Sequence, residues 1–218
     1  LIVDMVRYIK DMLDAVPEDM KGESPKPAAK HLFEVNANPI HLDESRAQMF
    51  HHFVVKLLFL CKRARPDTQR AVAFLCTRVK NPDEDDWKKL GRVMKYLRGS
   101  IELVLTLEAT NCIILKWWVD GAFAVHPDMR SHTGAVLSIG KGATYSASLK
   151  QKLNTRSSTE TEVVSTYDLL PMMIWTHLFL KAQGCKIKES LLYQDNISAE
   201  LMENNGKKSS GKRTRHMN

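Results

Sequence analysis

Ile113-Ile114-Leu115-Lys116-Trp117-Trp118-Val119-Asp120-Gly121 reads as a buried strand that ends on an acid. The run has strand length, is rich in β-branched and aromatic residues, and closes on glycine. A second run, Leu191-Leu192-Tyr193-Gln194, also delivers an acid, Asp195, followed by Asn196. Between them the helical period holds from Ser157 to Ala182, with Val163, Tyr167, Leu170, Ile174 and Leu178 on one face and Glu160 and Glu162 in the first turn. Pro171 falls inside this helix and is expected to kink it. Working outward, Leu103–Leu107, Thr133–Ile139 and Ala143–Leu149 are further expected strands, the last two joined by a hairpin-like turn at Gly140-Lys141-Gly142. Ser198–Glu203 is a short helix and Asn204–Gly211 a polar loop. Strands that alternate with a long helix make this an α/β or α+β domain.

Upstream the pattern is helical. Val3–Leu13 fits an amphipathic helix, and Pro17–Pro27 a loop rich in Pro, Gly and charge. Met49, Phe53, Leu57 and Leu60 make one apolar stripe. Pro66-Asp67 opens a helix that continues through Val72, Leu75 and Val79. Asn81-Pro82-Asp83-Glu84 opens another, whose stripe is Trp87, Leu90, Val93, Met94 and Leu97 and whose end is Gly99. Lys88, Arg92 and Lys95 share a different face of that helix.

The chain has 218 residues, 44% of them hydrophobic and 26% charged, which excludes wholesale disorder, collagen and coiled-coil architectures. Its longest apolar stretch, Phe53–Cys61, is broken by Lys56 and falls short of the ~20 residues a membrane-spanning helix needs, so no membrane partner is expected. Cys61, Cys76, Cys112 and Cys185 show no paired spacing, which points to reduced thiols, an intracellular setting and neither a disulfide framework nor a zinc site. The termini, Leu1-Ile2-Val3-Asp4 and Arg215-His216-Met217-Asn218, read as the interior of a longer chain. The net charge of +7 is concentrated. Lys62-Arg63-Ala64-Arg65 is one basic cluster, Lys88, Lys89, Arg92, Lys95 and Arg98 a second, and Lys207, Lys208, Lys212, Arg213 and Arg215 a third. Such clusters suit a polyanionic partner, although each also reads as a solvated helix face.

If the two acid-ended strands are neighbours and the long helix packs across them, their carboxylates converge. Clustered carboxylates repel one another and need cations. Hard oxygen ligands suit Mg²⁺ or Mn²⁺, and two such ions about 4 Å apart are the usual means of hydrolysing a phosphodiester. On spacing alone an acid at a strand end is more often a turn residue.

The ordered set Trp118-Val119-Asp120-Gly121-Ala122-Phe123-Ala124, Arg130-Ser131-His132-Thr133-Gly134, Ser157-Ser158-Thr159-Glu160-Thr161-Glu162 and Tyr193-Gln194-Asp195-Asn196 resembles the ribonuclease H domain of copia-type retrotransposon polyproteins. Lys212-Arg213-Thr214-Arg215-His216-Met217-Asn218 resembles the basic motif that follows in the family. Arg65-Pro66-Asp67 and Trp87–Gly99 look like the end of the preceding reverse transcriptase. The resemblance covers about residues 50–218.

The resemblance implies an α/β fold, a ribonuclease H-like mixed sheet flanked by helices. A small helical thumb or connection module would occupy residues 1–100, and a C-terminally incomplete ribonuclease H-like domain residues 101–218. It implies hydrolysis of the RNA strand of RNA/DNA hybrids with two Mg²⁺ or Mn²⁺ ions. The catalytic and metal-holding residues would be Asp120, Glu162 and Asp195, the family register favouring Glu162 over Glu160. Ser157-x-x-Glu160 and Thr159-x-x-Glu162 both fit a capping box, so capping leaves that choice open. Hybrid contacts would fall to Lys88, Arg92, Lys95, Arg130, Ser131, Thr133 and Asn196. The partners would be the hybrid and the remainder of the polyprotein, in the cytoplasm within a virus-like particle.

Departures from the family are Ile197 in place of glutamine, Val163 in place of an aromatic and Asn218 in place of aspartate. Three of the four carboxylates of ribonuclease H folds are found, and no Tyr-x-Asp-Asp polymerase motif. A catalytically inactive nucleic-acid-binding remnant is the alternative expectation.

Overall fold

The computed structural model describes residues 1–109 and 113–206. Cys112, the third basic cluster from Lys207 to Arg215, the end of the polar loop and the motif ending at Asn218 lie outside the described residues. The chain divides into two compact units, Leu1–Leu107 and Glu108–Asn218.

In the first unit the strand β1 (Ile2–Val3) precedes helices α1 (Val6–Asp14), α2 (Glu44–Arg63), α3 (Gln69–Cys76) and α4 (Glu84–Arg98), and β2 (Leu105–Thr106) returns to pair antiparallel with β1. The strand expected over Leu103–Leu107 is thus limited to two residues. Aspartates start the two long helices. The Asp43 side chain accepts from the Arg46 N–H at 3.0 Å, and Asp83 and Asp86 form a reciprocal capping box. Phe50, Phe53, Leu57, Leu60, Leu90 and Met94 form the centre of the core. All five residues of the expected α4 stripe, Trp87, Leu90, Val93, Met94 and Leu97, are buried. Arg65 is buried as well. Its guanidinium donates to Asp67 and to the Ser100 carbonyl, and so ties the turn before α3 to the end of α4.

The second unit contains β3 (Glu108–Ala109), β4 (Ile113–Ala122), β5 (His132–Ser138), β6 (Gly140–Lys141), β7 (Tyr145–Lys150), α5 (Ser158–Ala182), β8 (Ile187–Tyr193) and α6 (Ile197–Asn205). The main sheet has the order β7-β5-β4-β8. Its first two pairings are antiparallel and β4–β8 is parallel, so the sheet is mixed and the chain is of the α/β class. Gly140 and Lys141, expected in a turn, instead pair with β3. A Cβ on Gly140 would lie 2.3 Å from the Glu108 carbonyl oxygen, so only glycine permits that approach.

One face of the sheet presents Leu115, Trp117, Val119, Ala135, Leu137 and Ala147 to Leu169 of α5. Alternation along β4 sends Trp117 and Val119 inward, while Trp118 stays 43% exposed and stacks on Tyr193. The expected apolar face of α5 is the outer one: Tyr167, Leu170, Ile174 and Leu178 are exposed. Thr161, Glu162, Ser165, Leu169 and Thr176 are buried instead. The helix continues through Pro171 to Ala182. By length and composition α5 is also apolar enough to cross a membrane, although no unbroken apolar run in the sequence marks it.

Candidate metal centre

Strand pairing brings the two strand-end acids together. In the parallel pair, Trp118 of β4 is opposite Tyr193 of β8. Two residues further along each chain are Asp120 and Asp195. Both therefore emerge at the same end of the sheet, and both are exposed.

Glu162 arrives from α5. The Ser157 hydroxyl caps this helix by accepting from the Glu160 N–H at 3.2 Å. The Glu160 carboxylate turns back and accepts from the Arg156 N–H at 2.7 Å. With the cap at Ser157, Thr159 lies inside the helix and the second candidate box is not used. Glu162 lies one helical step beyond Thr161 on the sheet-facing side, where it is 5% exposed. Among the described residues, one carboxylate oxygen from each of Asp120, Glu162 and Asp195 lies within 4.8 Å of the other two. Glu160 is not in this group.

Gly121 makes the approach of Glu162 possible, a role the sequence reading did not give it. A Cβ at this position would lie 2.8 Å from both Ser165 Oγ and Thr161 Cγ2, and 3.2 Å from Glu162 Cδ. The Gly121 N–H donates to the Glu162 carboxylate. The signal was present in the sequence, since a glycine directly after a strand-end acid often marks a close backbone approach. Gln194 is a second support. Its Nε2 donates to the Glu162 carbonyl and to Thr166 Oγ1, each at 3.2 Å, which ties the end of β8 to α5.

The electrostatics of Glu162 are those of an anion lacking its counter-charge. Burial pushes its carboxyl up to about 7, and the charges of Asp120, Asp195 and Glu203 add to the rise against the opposing Gly121 hydrogen bond. Glu162 Oε2 is buried and has no hydrogen-bond partner among the described residues. An all-oxygen donor set, an orphaned buried oxygen and three mutually repelling carboxylates fit a hard divalent cation such as Mg²⁺ or Mn²⁺.

The other expected site residues are distributed differently. Ser131 and Thr133 are buried, and their hydroxyls have internal partners: Ser131 with Thr155 and Thr161, Thr133 with Ser165 and Gln151. Neither is offered to a surface ligand. Asn196 caps α6 by accepting from the Ala199 N–H at 3.0 Å. Arg130 pairs with Asp128 at 3.4 Å. In the first unit Lys88 and Arg92 are exposed on α4 and Lys95 is half-buried. Lys88 and Arg92 line a cleft with Pro27, His31 and Leu32.

No family model and no solved structure matches the chain. Curated relatives do. The chain is 31% identical over 147 residues, 67% of its length, to the retrovirus-related Pol polyprotein from transposon TNT 1-94 of Nicotiana tabacum. It is likewise 31% identical over 140 residues to the retrovirus-related Pol polyprotein from transposon RE2 of Arabidopsis thaliana. An uncharacterized mitochondrial protein of Arabidopsis thaliana is 31% identical over 99 residues, 45% of this chain and 41% of that protein. The chain matches only 11% and 10% of the length of the two transposon polyproteins. The likeness to these polyproteins extends over about two thirds of the chain, and the chain belongs to the retrovirus-related Pol polyproteins of copia-type retrotransposons.

Proposed function

We propose that the second unit is a ribonuclease H-like domain that hydrolyses the RNA strand of RNA/DNA hybrids, preceded by the end of a reverse transcriptase. The convergence of Asp120, Glu162 and Asp195 carries this reading. Order along the chain adds support. An acid in the first long strand, an acid early in the long helix α5 and an acid after the strand parallel to the first stand here together with a Pol polyprotein likeness.

Asp120, Glu162 and Asp195 would hold two divalent ions. Bound there, Mg²⁺ would make a water nucleophilic at neutral pH and offset the charge that develops on the leaving oxygen. The residues themselves divide the remaining work. Asp120 and Asp195 are exposed, so a phosphodiester can reach them from solvent. Glu162 is held from the buried side by the Gly121 N–H. A water oxygen attacks phosphorus, the P–O3′ bond breaks, and the fragments end in 5′-phosphate and 3′-hydroxyl. Lys88, Arg92 and Lys95 share one face of α4 at helical spacing and would take backbone phosphates, which positions a duplex without reading its sequence. Arg130 and Asn196 are nearer in sequence to the acids, and their polar groups suit the hybrid backbone.

The test uses the full chain with Mg²⁺ and an end-labelled RNA/DNA hybrid. Cutting of the RNA strand that falls at least 100-fold in Asp120→Asn, with the melting temperature retained, is the expected result. Cutting unchanged in Asp120→Asn rejects the assignment.

A further inference from the structure

The carboxylate of Glu162 reaches the site only if the first turns of α5 are pressed against the sheet at Gly121. What holds them there is a buried amide. Gln151 directly follows β7 and is 0% exposed. Its backbone N–H donates to the Ser131 carbonyl at 2.9 Å, which fixes the residue beside β5. Its side-chain Nε2 lies 3.1 Å from each of three acceptors: Thr133 Oγ1 on β5, the Thr161 carbonyl and Ser165 Oγ on α5. These partners surround the site's tightest contact. Thr133 is the residue opposite Gly121 in the β4–β5 ladder, and Thr161 and Ser165 are two of the side chains a Cβ at Gly121 would strike. Thr161 is also the residue immediately before Glu162.

The orientation of the amide follows from chemistry. A carbonyl such as that of Thr161 can only accept, so the NH₂ end must face it. The opposite end, Oε1, is buried without a hydrogen-bond partner among the described residues. An orphaned acceptor is costly in a buried site and persists where the donor end has work to do.

We propose that Gln151 is a positioning residue for the metal centre. It clamps α5 to β5 through Thr161 and Ser165 and so sets where the Glu162 carboxylate stands relative to Asp120 and Asp195. This rests on the reading of the three acids as a metal centre. It goes further by assigning a residue that touches neither ion nor substrate. Groups that orient metal ligands typically change metal affinity by roughly 10- to 100-fold when removed.

The test is a Mn²⁺ titration of the full chain, followed by the loss of the free-ion electron paramagnetic resonance signal, with circular dichroism on the same samples. Gln151→Met keeps the volume and removes both N–H donors. Its expected result is a native helix signal with Mn²⁺ affinity down about tenfold. The milder Ser165→Ala removes one acceptor and is expected to lose about threefold; it gives the answer if Gln151→Met fails to fold. Folded variants that bind Mn²⁺ as tightly as the unsubstituted chain overturn the proposal. An unsubstituted chain that binds no Mn²⁺ overturns it together with the metal reading of the site. Binding that weakens as expected in a chain that never cuts a hybrid supports the clamp and removes the nuclease function alone.

Discussion

Glu162 is the side chain whose chemistry the fold alters most. Its carboxyl is raised from 4.5 to about 7, first by burial and then by neighbouring acids. Below the ordinary carboxylate range Glu162 is protonated in both folded and unfolded chains and makes no pH-dependent contribution. Between about 4.5 and about 7 the unfolded chain ionises while the folded one keeps its proton, so the folded state binds more protons and stability falls as pH rises. Above about 7 the loss levels off. At about 1.4 kcal/mol per pH unit, reduced by solvent screening at this partly open site, the loss is roughly 1–3 kcal/mol. Glu162→Gln, which cannot ionise, is therefore expected to match the metal-free parent at pH 4 and to exceed its stability by roughly 1–3 kcal/mol at pH 8. Urea unfolding across that range measures it, and a difference independent of pH refutes it. Adding Mg²⁺ should reverse the order at pH 8, because the ion favours the ionised parent. The residue types at the site were legible in the sequence, since acids that end apolar runs stand out. Their distances were not, because they depend on a parallel pairing of β4 with β8 across some seventy residues of intervening chain.

α5 shows where periodicity stops informing. In α4 the apolar stripe read from the sequence is the buried one, with Asp86 and Lys89 buried beside it. α5 is apolar on most sides, with Leu170, Ile174, Trp175, Leu178 and Phe179 all exposed. Hydropathy therefore cannot choose its rotation. Small and polar residues choose it: Thr161, Glu162 and Ser165 face the sheet because Gly121 leaves room for them. Contact at 2.8 Å leaves no space for a methyl group, so Gly121→Ala must push the helix off the sheet or distort β4. The expected cost is about 1–3 kcal/mol of stability, the usual range for overpacking. Cutting and Mn²⁺ binding should fall together, because the displaced element carries Glu162. Thermal unfolding and Mn²⁺ titration of the variant check this. Unchanged values in both would show that the helix does not depend on the glycine gap.

The division of the chain at Leu107 and Glu108 separates two kinds of contribution. The four-stranded sheet, α5, α6 and all three acids lie in the second unit, and its strands find their ladder partners there. The exposed cations of α4 lie in the first. A chain cut to residues 108–218 is therefore expected to keep its fold and to bind Mn²⁺ within about threefold of the full-length affinity, since Asp120, Glu162, Asp195 and Gln151 are all retained. Its grip on a hybrid should change in a different way. Each phosphate contact made by a cation steepens the dependence of log affinity on log salt by roughly 0.9. Loss of Lys88, Arg92 and Lys95 should therefore flatten that slope by roughly 2 to 3 while leaving metal binding alone. Hybrid-binding titrations at several salt concentrations, on the full chain and on residues 108–218, measure the difference. An equal slope for both would place the duplex-gripping charges within the second unit and remove α4 from the nucleic-acid surface.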